Sequence, residues 1–180
     1  MSGNNIIILI NEAFRPKRFF SPGRKPWVYN TIGENMSHTY SSLFVHCVWG
    51  TKRRIPYLTD DIRLRVYKYI EAIVEHQGAE TLAIGGIEDH VHLLVSVKQT
   101  MIIPDFMRVI KTNSSSFVRQ TLQRDFAWQE GYGVFSVSVS MVPTVMRYIE
   151  RQEEHHKKRS FEDEYLLLLE KHGIEHGQTP

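Results

Sequence analysis

The 180-residue chain contains a single cysteine, carries almost no net charge and has no long hydrophobic run. Because Cys47 is alone, an intrachain disulfide and a CxxC-type zinc site are both excluded, which fits a reducing compartment. The early apolar stretch Ile6–Ile10 is far shorter than a signal-peptide core or a membrane span. The formal net charge is +2 with nine histidines uncounted, so bulk charge alone cannot support nucleic-acid binding. The composition therefore predicts a soluble, cytoplasmic protein without membrane partners.

The first 37 residues show no sustained helix or strand period and contain several prolines and glycines among scattered basic residues. We interpret residues 1–37 as a mobile N-terminal extension, residues 38–175 as one domain and residues 176–180 as a tail. Translation could naturally start at Met36–Ser37. On this alternative hypothesis, the extension is upstream sequence that a misplaced start codon adds. N-terminal sequencing of the native protein that finds Ser2 first would contradict that hypothesis.

Beyond the extension, strand-like and helix-like patterns follow one another in a defined order. Period-2 or continuously apolar runs predict strands, and apolar residues at helical spacing with capping signals predict helices. The predicted strands are Ser42–Trp49, Thr81–Ile87, His90–Val97 and Val134–Met141, and the predicted helices run from Asp60 to Gly78, from Pro104 to about Arg124, from Pro143 to about Lys158 and from Phe161 to His172. This order predicts an α+β, ferredoxin-like sandwich, in which helices cover one face of a four-stranded antiparallel sheet and leave the other face free to bind a ligand.

The first candidate site lies on the third predicted strand. His90 and His92 are two residues apart, so both imidazoles project from the same face and can ligate one cation. An H-x-H pair is a weak motif by itself, since two partly exposed histidines that make ordinary hydrogen bonds would look the same. The neighbouring residues have to decide between these interpretations.

A second candidate pair lies on the third predicted helix. Tyr148 and Gln152 are four residues apart, about one helical turn, so the phenol and the carboxamide share a face. A phenol with a pKa of about 10 is a poor nucleophile unless a base or a cation favours its deprotonation. Of the eight tyrosines only Tyr148 has a potential ligand one turn away, although Tyr132, between two glycines, is a strong rival. An exposed helical pair without chemistry remains the alternative.

Further histidines follow on the same helix. His155 and His156 are open to two interpretations: a solvated helix end whose dipole favours cationic side chains, or an alternative ligand or proton shuttle. The same alternatives apply to Glu153 and Glu154.

Basic and aromatic side chains suggest where a nucleic acid would bind. Phosphates are bound by Lys and Arg, and unpaired bases stack on aromatic rings. The competing interpretation of the basic residues is a solvated loop, and that of Trp128 is a place in the core. The candidate contacts are Lys52, Arg53, Arg54, Arg108, Lys111, Arg119, Trp128 and Tyr132.

Four ordered segments together resemble a known family. They are Phe44–Trp49 with Thr51–Arg54, Gly86–Leu94, Phe126–Tyr132 and Tyr148–His156. From about residue 38 to 175 the chain resembles the single-tyrosine HUH transposases of bacterial insertion sequences, relatives of the REP-associated tyrosine transposases. The extension before Met36 has no counterpart in the family pattern.

The resemblance implies an activity and a division of roles. His90, His92 and Gln152 would hold a divalent metal, Mg or Mn, and Tyr148 would attack a phosphate of single-stranded DNA, forming a 5′-phosphotyrosine and releasing a 3′-hydroxyl for later rejoining. It also implies a homodimer that binds imperfect DNA hairpins, in which the tyrosine of one chain can serve the histidines of the other.

Two other function classes compete with a transposase. A domesticated, non-mobile relative would bind hairpin DNA as a regulator without cutting it, and the intact set of Tyr148, His90, His92 and Gln152 argues against it. A two-histidine phosphoesterase would need two separated H-x-[ST] motifs, which this sequence lacks.

Overall fold

The computed structural model of the protein describes residues 40–121, 125–157 and 160–175. The chain divides into Met1–Tyr40 and Ser41–Pro180, and every described helix and strand belongs to the second unit. The predicted extension, residues 1–37, and the predicted tail, residues 176–180, lie outside the described residues. Among the residues that are described, no helix is long and apolar enough to cross a membrane.

Four antiparallel strands and five α-helices make up the described fold. In chain order they are β1 (Leu43–Gly50), a 3₁₀ turn (Lys52–Arg54), α1 (Asp60–His76), β2 (Glu80–Ile87), β3 (His90–Val97), α2 (Ile103–Thr121), β4 (Gly133–Val137), α3 (Val142–Glu150), α4 (Gln152–His156) and α5 (Phe161–Lys171). The strand order in the sheet is β2-β3-β1-β4, and every neighbouring pair is antiparallel. The predicted α+β sandwich with a four-stranded antiparallel sheet is therefore confirmed.

The two faces of β3 have different surroundings, as its period-2 alternation predicts. Val91, Leu93 and Val95 are fully buried on one face. Helix α1 packs against the neighbouring strand β2 and against α2, to which it is joined by Tyr69 stacking on Phe117 at a centroid distance of 4.2 Å. The histidines of β3 project from the opposite face, which therefore carries the polar part of the sheet.

That opposite face is not left open along its length, in contrast to the prediction. Helices α3 and α4 lie against β2, and buried Ile149 and Gln152 point towards the sheet. The approach is close because β2 carries Gly85, where a side chain would meet the backbone of Ile149. The glycine thus gives the third helix room to lie over the histidine strand.

Two predicted boundaries were wrong. The fourth strand ends at Val137 rather than Met141, because the chain turns directly after it, where the backbone N–H of Met141 donates to the carbonyl of Ser138 at 2.9 Å. The third helix is also not continuous to Lys158. It stops at Glu150, and Arg151, with φ −104° and ψ 22°, separates it from the short helix α4.

The single cysteine lies in the middle of this core. Cys47 is fully buried on β1, and burial raises the pKa of its thiol to about 12. A protonated thiol without solvent access is neither a nucleophile nor a metal ligand. Cys47 therefore has a packing role.

Candidate active site

The histidine pair lies at the centre of the sheet and is completely buried. His90 and His92 are both 0% exposed, so their imidazoles must find partners inside the protein. Nδ1 of His90 lies 2.8 Å from Oδ1 of Asp89, and Nδ1 of His92 lies 2.9 Å from Nε2 of His46. Both rings therefore direct their Nε2 atoms to the same region, in front of the C-terminal helices.

Asp89 orients His90 and is itself held by Arg54. The guanidinium of Arg54 lies 2.8 Å from Oδ2 of Asp89 and packs over the ring of Phe161 at 3.5 Å. Burial alone would raise the pKa of Asp89, but the hydrogen bond with His90 and the charge of Arg54 hold it below its usual value. An ionised carboxylate can only accept, so Nδ1 of His90 donates to Asp89, which leaves Nε2 of the ring to face the site.

Tyr148 and Gln152 reach the same region from the other side. The Tyr148 ring stands edge-on to His92 at a centroid distance of 5.7 Å. Oε1 of Gln152, which is 1% exposed, lies 3.2 Å from Nε2 of His90. The break at Arg151 does not separate the two side chains, since both contact the same carboxylate, that of Glu164.

Glu164 is the central residue of the site, and sequence reasoning missed it. It is only 2% exposed, and its Oε1 accepts hydrogen bonds from the Tyr148 hydroxyl and from Nε2 of Gln152, the latter at 2.9 Å. Its Oε2 lies 3.1 Å from Nε2 of His156 and 3.3 Å from Nε2 of His92. One carboxylate therefore connects the predicted nucleophile, the predicted amide ligand and the histidine pair.

The electrostatics of the site favour neutral imidazoles around an ionised carboxylate. Burial lowers the pKa of His92 to about 4, although Glu164 opposes this shift. Burial would raise the pKa of Glu164, but the hydrogen bond with His156 and the nearby imidazole of His92 hold it far below its usual range. Burial and then the neighbouring His92 also lower the pKa of His46. Neutral imidazoles have the lone pair that metal binding requires.

The donor set fits a divalent cation. Ligand atoms of His90, His92, His156 and Glu164 all lie within 4.8 Å of one another. Nε2 of His92 makes no aligned hydrogen bond to any described residue, although it is buried. Nε2 of His90 lies 3.2 Å from Oε1 of Gln152, so an imidazole nitrogen and an amide oxygen meet at the same buried position. Imidazole nitrogens and carboxylate and amide oxygens are ligands that divalent metals accept.

The predicted nucleic-acid contacts form two groups. Five of them line an open cavity of about 430 Å³ between α2 and the segment that follows it: Arg108, Lys111, Arg119, Trp128 and Tyr132. The other three, Lys52, Arg53 and Arg54, form the turn after β1, and the backbone of Lys52 donates to the carbonyl of Ala127 at the rim of the same segment.

Individual members of these groups have different surroundings. Arg108 and Arg119 are exposed, whereas Nζ of Lys111 donates to the carbonyls of residues 129–131 at 2.8–2.9 Å and so ties that loop to α2. Trp128 is 6% exposed and donates through Nε1 to Ser114, which matches the alternative of a place in the core. The half-buried ring of Tyr132 is the accessible aromatic surface of the cavity.

Comparisons with known proteins point to one family. The family model described as "Transposase IS200 like" matches residues 39–152, well over half of the chain. The ISDra2 transposase TnpA of Deinococcus radiodurans is 28% identical over 116 residues, which span 61% of this chain and 83% of that protein.

Two solved structures share the fold. A Deinococcus radiodurans R1 protein assigned as a transposase superposes with a TM-score of 0.55 at 25% identity and covers 67% of this chain and 98% of its own. A REP-associated tyrosine transposase bound to a REP hairpin gives a TM-score of 0.53, covering 69% and 74% of the two chains, and at 12% identity this likeness concerns the fold alone. With the family model matched across β1 to the start of α4, this chain belongs to the IS200-like transposase family.

Proposed function

We propose that this protein cleaves and rejoins single-stranded DNA through a 5′-phosphotyrosine intermediate at Tyr148. The observation that carries the proposal is the convergence of the Tyr148 hydroxyl, the Gln152 amide and the His90 and His92 nitrogens on one buried position. A tyrosine placed next to a metal-ligand set is what in-line attack on a phosphodiester requires. Membership of a transposase family supports the same chemistry.

The reaction assigns a task to each group. The Tyr148 oxygen attacks the phosphorus atom and the bond from phosphorus to the 3′-oxygen breaks, which leaves a 5′-phosphotyrosine and, after that oxygen takes up a proton, a 3′-hydroxyl. The phenolic proton has an acceptor in place, because the hydroxyl already donates to Glu164. His90, His92 and Gln152 would hold Mg or Mn, which supplies charge neutralisation at the phosphate oxygens when bound. The phosphotyrosine preserves the ester for the reverse reaction on another DNA end.

The DNA substrate is proposed to be a hairpin flanking the gene. A relative of the same fold is bound to a REP hairpin. In this chain the exposed guanidiniums of Arg108 and Arg119 lie beside the Tyr132 ring in one open cavity. This combination suits phosphates and an unstacked base. Lys52 and Arg53 are exposed and extend the basic surface along the neighbouring turn.

A strand-labelling experiment tests the function and its polarity together. The protein is incubated with Mg²⁺ or Mn²⁺ and single-stranded DNA from the flanks of its gene, labelled at either the 5′ or the 3′ end, and is then denatured. A 5′-phosphotyrosine retains the 3′ label on the protein and releases the 5′-labelled fragment with a free 3′-hydroxyl. Chelation of the cation should abolish the product. If no flank yields an adduct with either cation, the non-cutting regulator becomes the better account.

We also propose that the protein acts as a homodimer with composite sites. In the single chain described here Tyr148 already lies beside its own His92. A composite site therefore requires α3 to exchange between two copies. Mixing His92→Ala protein with Tyr148→Phe protein tests this, because each variant lacks a different half of the site. Recovery of roughly a quarter to a half of wild-type adduct would follow from statistical pairing in trans, whereas an inactive mixture would show that each chain uses its own tyrosine.

A further inference from the structure

Glu164 lies on the last described helix, which packs firmly against the site. Helix α5 begins with an N-cap, since Ser160 accepts a hydrogen bond from the backbone of Asp163. Phe161 packs on the His90 ring at a centroid distance of 4.6 Å and lies under the Arg54 guanidinium. These contacts place the first turn of α5, and the carboxylate on it, directly in front of the histidine pair.

The distances around Oε2 of Glu164 are those between ligands of one cation. Two ligand atoms that each lie about 2.1 Å from a metal are about 3.0 to 3.4 Å apart in octahedral or tetrahedral geometry. Oε2 lies within this range from Nε2 of His156, at 3.1 Å, and from Nε2 of His92, at 3.3 Å, and somewhat further from Nε2 of His90, at 3.8 Å. The carboxylate is therefore spaced as a ligand beside the imidazoles.

The two oxygens of Glu164 have separate surroundings. Oε1 is occupied by the Tyr148 hydroxyl and the Gln152 amide. The ion pairs that the structure shows at Oε2 are all with imidazole nitrogens. A carboxylate that is held through one oxygen and directs the other towards imidazole nitrogens is arranged for monodentate metal binding, with the held oxygen fixing its orientation. A charge buried to 2% exposure also needs a compensating charge nearby.

His156 completes the same arrangement. Its side chain is 6% exposed, and its ring packs against His90 at a centroid distance of 4.5 Å. With His90, His92, Gln152 and Glu164 it makes five side-chain ligands. In an octahedral centre this leaves one position for a phosphate oxygen.

We propose that Glu164 and His156 are direct ligands of the divalent cation, so that the metal centre of this chain extends beyond His90, His92 and Gln152. The inference rests on the proposed function, since it assumes that the site takes a metal. In this proposal Glu164 has two roles. It would bind the metal through Oε2 and position the Tyr148 hydroxyl through Oε1, and it would thereby link the cation to the nucleophile.

Metal binding measured without DNA tests this inference. Binding of Mn²⁺ to the full chain is followed by calorimetry and by the electron paramagnetic resonance signal of free Mn²⁺. Glu164→Gln, which keeps the size of the side chain, is expected to weaken Mn²⁺ affinity by at least about 10-fold, as is His156→Gln. The matched controls are Glu170→Gln on the exposed side of α5 and His76→Gln at the exposed end of α1, both expected to bind Mn²⁺ as the wild type does.

The outcomes separate this inference from the proposed function. If His92→Ala loses Mn²⁺ and Glu164→Gln binds it as tightly as the wild type, the metal site stands and the role of Glu164 is wrong. Tighter binding by Glu164→Gln would show that the carboxylate competes with the cation for its position. A wild-type protein that binds no Mn²⁺ would contradict metal use itself. Unfolding midpoints measured in the presence of chelator identify any variant that merely misfolds.

Discussion

Replacing Tyr148 with phenylalanine is expected to abolish the covalent DNA adduct and to lower strand cleavage by about 10⁴-fold or more, because the attacking oxygen is removed. The ring would keep its edge contacts with His46 and His92, at 6.2 Å and 5.7 Å between centroids. The hydroxyl and its bond to Glu164 are lost, so the free energy of unfolding is expected to change by about 1 to 2 kcal/mol. The measurement is a denaturing gel of labelled DNA, beside a urea unfolding curve for each protein.

The control for this variant is the rival tyrosine. Tyr132 lines the basic cavity next to α2 and is absent from the contacts that surround Glu164. Tyr132→Phe should therefore form the adduct at close to the wild-type rate. An adduct that persists in Tyr148→Phe and disappears in Tyr132→Phe would assign the nucleophile to the other tyrosine.

Gly85→Ala is expected to reduce cleavage by about 10²- to 10³-fold although it alters no proposed ligand or nucleophile. A Cβ at this position would overlap the backbone oxygen of Ile149 and lie 3.0 Å from its Cγ2. Gly85 is also the direct partner of His92 across β2 and β3. The helix that carries Tyr148 must move away from the histidine strand, and displacements of about 1 Å cost rates of this size.

The comparison for Gly85→Ala is another glycine. A Cβ added at Gly131 meets nothing within 4 Å, so Gly131→Ala should cut DNA at the wild-type rate. Rates and Mn²⁺ affinities are measured for both variants, together with their unfolding midpoints, because overpacking costs Gly85→Ala about 1 to 3 kcal/mol. A Gly85→Ala protein with wild-type cleavage would show that the contact between β2 and α3 does not set the position of the tyrosine.

The sheet was predictable from local sequence patterns, because the alternation of apolar and polar residues along a strand can be read without knowing the rest of the fold. The β2–β3 hairpin, predicted as Thr81–Ile87 and His90–Val97, forms over Glu80–Ile87 and His90–Val97. The break at Arg151 was not predictable in this way, since no proline or glycine marks it in the sequence. Ile149 and Gln152, on either side of the break, are both buried, and their two helices lie against β2.

The site was predictable only in part. Tyr148, Gln152 and the two histidines carry a spacing signal, and the structure brings them together. Glu164 carries none, because an acidic residue in the first turn of a helix is ordinary and its neighbours Glu162 and Asp163 are acidic and exposed. Only the tertiary arrangement selects the one acid that faces the histidines. Asp89, which the sequence marks only as part of a turn, similarly gains its role from the contact with Arg54.

The position of Glu164 in the chain has a consequence for how the protein is made. The histidine strand and its partners lie far apart in sequence: Gln152 follows His90 by 62 positions, and Glu164 comes later still. Chains emerge from the ribosome N-terminus first, and domains fold as their residues become available. All four strands of the sheet are synthesised before α5. On the proposed mechanism, a chain that stops short of residue 160 lacks the carboxylate that contacts Tyr148 and the histidines, so we expect DNA cutting to begin only after α5 has been made.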